Sequence, residues 1–138
     1  MKSAAISAVL KHPEGAITSV TNGRHNWQSD IPQSLGSHDQ APDPHDLYDS
    51  SLAACTVLTI HLYLKRKDWK VDSISCTVHR VSEEKDSQGK VFYRLRREIG
   101  LTGELDESQK MRLLEIANKC PIHRLMEGRT EVESFLSA

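Results

Sequence analysis

One stretch limits the possible folds more than any other. Residues 45–67, HDLYDSSLAACTVLTIHLYLKRK, contain neither Gly nor Pro. Asp43–Pro44 in front of them supplies a plausible cap and a proline at the first helical position. Leu47, Leu52, Ala54, Cys55, Leu58, Ile60 and Leu62 cover well over half of the helix circumference. A helix apolar nearly all round is a buried one. Ser50, Ser51, Ala53 and Ala54 add a small-residue patch where another backbone can approach closely, and Lys65, Arg66 and Lys67 end the helix favourably against its dipole. A chain built on such a helix needs other elements to cover it.

Those elements read mostly as strands. Ala5 to Lys11 is apolar-rich, Ile17 to Thr21 is β-branched, and His25 to Ser29 carries Trp27, with Asn22–Gly23 as a hairpin signal. Asp30 to Pro44, with Pro32, Gly36, Pro42 and Pro44, reads as a long ordered loop. After the helix, Val71 to Val81 alternates, placing Ile74, Cys76 and Val78 on one face. A charged turn over Glu83 to Lys90 leads into a partner strand, Val91 to Leu101. Asp106 to Cys120 predicts an amphipathic helix with Met111, Leu114, Ile116 and Ala117 on or near one face and Leu105 stapling its start. Pro121 marks its end, and Arg129 to Leu136 predicts a closing strand. The order of elements is that of an α+β protein, and 138 residues without a linker or repeat suit one domain, residues 1–138.

Composition excludes several classes of function. Eighteen basic against nineteen acidic residues give a net charge of -1, so there is no domain-wide positive field for nucleic acid. Mean hydropathy of -0.49 argues against a membrane protein. The opening MKSAAISAVLKHPEG breaks at Lys11 and Pro13, which suits a first strand better than a signal peptide. Three scattered cysteines are too few for a secreted disulfide framework, and none forms a CxxC pair. A cytoplasmic protein with reduced thiols is the expectation.

The chemistry that remains is thiol chemistry. The seven histidines show no HxxxH or HxH spacing, so no metal site is expected, and His61 in the buried helix is expected to be a hydrogen-bonded core residue. There is no phosphate loop and no GxSxG elbow. Free cysteine is commonly a small core hydrophobe, and Cys76 on a strand's apolar face fits that description. Cys55 and Cys120 have the same packing explanation, but as a pair they also allow a redox cycle. A thiolate would attack a peroxide to give a sulfenic acid, and a second thiol would condense with it to a disulfide. The attacking thiol needs a nearby cation or donor. Cys55 lies too far along its helix for the dipole to serve, so a side chain from elsewhere is required, with Arg24, His45 and His123 as candidates by type.

The segment QAPDPHDLYDSSLAACTVLTIHLYLKRKDW resembles the OsmC/Ohr family. The likeness extends through SDIPQSLGSHDQ before it, VDSISCTVHR and NKCPIHRLMEG after it, with PxxL…AAC and KCPxxRLxEG as the specific signals. The resemblance implies an α+β fold in which two chains intertwine as a homodimer, central buried helices wrapped by curved antiparallel sheets, with active sites at the interface. It also implies reduction of organic or inorganic hydroperoxides without a bound cofactor. Cys55 corresponds to the peroxidatic cysteine and Cys120 to the resolving one. An external dithiol, such as a lipoylated or thioredoxin-like protein, would restore both. Typical members add an Arg in the first hairpin and a Glu just after the proline that begins the buried helix. Here the second position is His45, with Asp46 beside it, and no Arg occurs over residues 12–14. Arg24 follows further along.

The leading expectation is a homodimeric thiol-dependent hydroperoxide reductase with Cys55 and Cys120 catalytic and His45, Asp46 and Arg24 as activating or pocket residues. Two other classes remain open at this point. One is a module binding a small apolar ligand, with the cysteines as inert lining. The other is an enzyme acting on acyl or electrophilic substrates with Cys55 as nucleophile.

Overall fold

The computed structural model describes residues 5–11 and 15–137. The chain organises into two compact units, residues 1–49 and 50–138, with helix α1 (Pro44–Lys67) running from the first into the second.

In the first unit β1 (Ser7–Val9), β2 (Thr18–Thr21) and β3 (Asn26–Ser29) form an antiparallel sheet in that order. Asn22–Gly23 makes the expected turn between β2 and β3. The Asn22 side chain accepts from the Arg24 and His25 amides at 2.9 and 2.7 Å, and Gly23 takes a φ of 93° that a side chain would oppose. The long loop is ordered around one buried carboxylate. Asp30 accepts from the amides of Ile31 (2.8 Å) and Gln40 (3.0 Å) and from the Ser37 hydroxyl. Ser37 Oγ accepts in turn from the Ala16 amide at 2.8 Å. At the loop's end Asp43 caps α1 as expected: its carboxylate accepts from the Asp46 amide at 2.8 Å, while Asp46 accepts from the Asp43 amide at 3.1 Å.

The second unit packs α1 and α2 (Glu107–Ala117) together with the hairpin of β4 (Ser73–Lys85) and β5 (Val91–Thr102). Its core joins Ile60, Tyr63 and Leu64 of α1 to Leu113, Ile116 and Ala117 of α2. Trp69, Val71, Ile74, Ile99, Leu101 and Leu105 close around them. Asp106 and Gln109 form a reciprocal capping box at the start of α2. β4 alternates as expected but continues past Val81 to Lys85, with a bulge between Arg80 and Ser82. The charged residues there extend into solvent from a paired backbone, so charge did not force a turn. The turn itself is confined to residues 86–90 around Asp86 and Gly89.

Four expectations are corrected. The second helix stops at Ala117, and a further helix, α3 (Pro121–Glu127), follows with Pro121 as its first residue. Proline suits the start of a helix as well as the end of the one before it. Met111 and Leu114 lie exposed, because the covered face of α2 is the one through Leu113, Ile116 and Ala117. Residues 129–137 form no strand, since no strand edge among the described residues pairs with them. His61 is exposed. On α1, Leu52, Ile60, Tyr63 and Leu64 are buried, while Leu58 (58% exposed) and Leu62 (65%) remain open.

Candidate active site

The site lies in the second unit, where chain breaks and helix turns bring distant residues together. Cys55 is half-buried on α1, with its sulfur 3.8 Å from Thr59 Oγ1 one turn on. Cys120 reaches it because Pro121 disfavours helical geometry at the residue before it. Cys120 takes extended backbone (φ −56°, ψ 131°) and becomes the N-cap of α3. Its sulfur accepts from the His123 amide at 3.5 Å. Cys55 and Cys120 are both free thiols, near enough that each shifts the acidity of the other.

Their surroundings push the two thiols in opposite directions. Burial raises Cys55, but the hydrogen bonds from Cys120, the Ile122 amide and Thr59, together with the Arg97 charge, outweigh it and hold the thiol below its ordinary value. Burial pushes Cys120 up, and its bond to Cys55 pushes it further in the same direction. Cys55 is therefore the thiol that ionises first, while Cys120, with no exposed surface, keeps its proton. Cys76 behaves as its strand position suggested, as a half-buried thiol raised by burial and bonded to the Thr56 hydroxyl.

The cation at this pair is a residue that sequence reasoning missed. Arg97 stands on β5 opposite Val78 of β4. Its Nη1 donates to Thr56 Oγ1 at 3.0 Å, and its Nη2 donates to Asn118 Oδ1 at 2.9 Å and to His123 Nδ1 at 3.0 Å. His123 Nε2 meets Glu127 Oε1 at 2.7 Å. A signal existed: Tyr93, Leu95, Arg97, Ile99 and Leu101 alternate as half-buried positions along β5, and a charge inside an apolar alternation is out of place. Of the candidates named by type, His123 is at the site. Arg24, His45 and Asp46 belong to the first unit. Arg24 sits in the β2–β3 turn, and His45 and Asp46 occupy the first turn of α1, where Asp46 serves the cap. Residues 12–14, where the hairpin Arg was sought, lie outside the described residues. Among the described residues no group of three or more His, Cys, Asp or Glu is placed to hold a metal, and no helix is long and apolar enough to cross a membrane.

A family model for OsmC-like proteins matches residues 36–135. The chain belongs to the OsmC-like family. Solved OsmC-like structures share its fold. An OsmC-like protein from Mycoplasma pneumoniae superposes with a TM-score of 0.72 at 21% identity, covering 92% of this chain and 89% of that one. An organic hydroperoxide resistance protein OsmC from Legionella pneumophila gives 0.69 at 19% identity, with 93% and 91% covered. The organic hydroperoxide resistance protein OhrB of Bacillus subtilis gives 0.63 at 19%, covering 92% of each. No curated protein matches the sequence. The mixed α+β architecture expected from the OsmC/Ohr resemblance is the one found.

Proposed function

We propose that this OsmC-like protein reduces hydroperoxides through a two-cysteine cycle, as a homodimer and with an external dithiol as reductant. The observation that carries the reading is the neighbouring pair of Cys55 and Cys120, one held low and half-open, the other held high and enclosed. The Cys55 thiolate attacks the terminal oxygen of a hydroperoxide and the O–O bond breaks. Cys55 becomes a sulfenic acid, and the alkoxide leaves to take up a proton as the alcohol. Cys120 then attacks the Cys55 sulfur, forming the disulfide and releasing water. Two thiols of a lipoylated or thioredoxin-like partner return both cysteines to the reduced state and are themselves oxidised to a disulfide. Enclosure suits Cys120 to resolving, since a peroxide in solution reaches Cys55 more readily. Fold relatives named organic hydroperoxide resistance proteins support the same substrate class.

The open side of α1 supports the homodimer reading. Leu58 and Leu62 lie one turn apart on its open side with Ala54 a turn before them, and a second copy of the helix is the partner that would cover them.

The test is mass spectrometry of the reduced protein after one equivalent of cumene hydroperoxide. The expected product has lost two hydrogens, maps to a Cys55–Cys120 disulfide, reverts with dithiol and fails to form in Cys55→Ser. If both thiols stay free while a peroxidase control reacts, the peroxidase reading is wrong.

A further inference from the structure

We propose that Arg97 supplies the positive charge at the Cys55–Cys120 pair and that His123, backed by Glu127, is the residue that positions it. The inference rests on the two-cysteine reading above. Three acceptors on three elements hold the guanidinium: Thr56 Oγ1 on α1 at 3.0 Å, Asn118 Oδ1 at the end of α2 at 2.9 Å, and His123 Nδ1 on α3 at 3.0 Å. Each belongs to a residue within three positions of one of the two cysteines. Thr56 follows Cys55 in the chain, Asn118 comes just before Lys119–Cys120, and the His123 amide donates to the Cys120 sulfur. The clamp on Arg97 is thus built from the same backbone segments that bring the cysteines together.

Elementary hydrogen-bond chemistry sets the protons. A guanidinium only donates, so His123 Nδ1 accepts, and its hydrogen is on Nε2, directed at Glu127 Oε1 2.7 Å away. Glu127 therefore selects the tautomer that can receive Arg97, and charge-assisted bonds of this kind fix geometry as well as energy. Among the described residues the hydrogen-bond partners of Arg97 are neutral, so no direct ion pair cancels its charge. A half-buried guanidinium with neutral partners favours an anion nearby, and among the described residues the ionisable groups that interact with it are Cys55, Cys76 and His123, with Glu127 behind His123. Burial pushes Cys76 and Cys120 up, so Cys55 is the one of the three thiols that is lowered, with the Arg97 charge among the causes.

The test is the pH profile of Cys55 alkylation by iodoacetamide in the full-length reduced protein, read by peptide mass spectrometry, with thermal unfolding recorded for each variant. Arg97→Met is expected to move the profile to higher pH and slow neutral-pH alkylation about tenfold, the equivalent of one unit in pKa. Arg97→Lys, which keeps the charge without the fork, gives a smaller shift. His123→Ala shifts the profile in the same direction, and His123→Asn, whose amide oxygen can stand where Nδ1 stood, restores it. An unchanged profile in folded Arg97→Met overturns the proposal. Should that variant not fold, unchanged profiles in Arg97→Lys and His123→Ala overturn it equally. Alkylation needs no peroxide, so a protein that forms no disulfide yet shows these shifts refutes the peroxidase reading while leaving the Arg97 clamp standing.

Discussion

Thr56→Val replaces one hydroxyl by a methyl of nearly the same shape, and the structure says what that hydroxyl does. Thr56 is fully buried. Its Oγ1 donates to the Leu52 carbonyl at 2.7 Å and accepts from Arg97 Nη1 at 3.0 Å. Valine leaves the Leu52 carbonyl with its ordinary helical partner, the amide of residue 56. Arg97 loses one of its three acceptors. A hydrogen bond to a charged group contributes about 1.5–3 kcal/mol, while burying a methyl in place of the hydroxyl returns roughly 0.8 kcal/mol. The net expected loss is about 1–2 kcal/mol, or roughly 3–7 °C in Tm for a chain of this size. Urea unfolding followed by tryptophan fluorescence, at matched protein concentration, measures it. Cys55 alkylation in the same variant should slow at neutral pH as the guanidinium gains freedom. A stability change below about 0.5 kcal/mol together with unaltered alkylation would refute the claim that Thr56 anchors Arg97.

Three further outcomes follow from other parts of the structure. Leu113→Ala empties a fully enclosed position between Ile60, Tyr63 and Leu64, and chemical denaturation should register a loss of about 2–5 kcal/mol; a loss under about 1 kcal/mol would mean that the core collapses to fill the gap. Asp30 is held below its ordinary value of 3.8 first by the Ser37 hydroxyl and then by the Gln40 amide, against its burial. A depressed carboxyl contributes stability that is full above 3.8 and lost as pH falls through the lower folded value. The loop over residues 30–43 should therefore open in acid, reported by Trp27, which lines a shallow cleft with Gln40 and Pro42. Asp30→Asn should remove that acid dependence, and a retained acid transition would assign it to another group. The protein should sediment at about twice its 15.5 kDa, and Leu58→Glu combined with Leu62→Glu should bring it to the monomer mass; a wild-type protein at monomer mass would remove the dimer from the proposal.

Local chemistry carried most of the fold. Asn22–Gly23, Asp43–Pro44, Asp106 with Gln109, and the alternation around Cys76 each specify a turn, a cap or a strand from a few neighbouring residues, and each is present as expected. The errors occurred where the decisive contact was not local. Ile116 and Ala117 are buried as expected, but nothing in the periodicity of α2 tells whether Met111 and Leu114 or Leu113 completes their face, because only the position of α1 selects between them. Likewise Val132, Phe135 and Leu136 have the composition of a strand, but a strand exists only where an edge pairs with it.

The candidate site divides along the same line. The sequence by itself determined that Cys55 lies on a largely apolar helix and that Cys120 stands at a proline break, since both depend on adjacent residues. Tertiary structure decided that the two thiols come near one another, that one is lowered and the other raised, and that Arg97 of β5 adds its charge to Cys55. Hydrogen bonds and charge act over a few ångströms in space regardless of separation along the chain. Only the folding of β5, α2 and α3 against α1 could place Arg97, Asn118 and His123 beside Thr56 and Cys55.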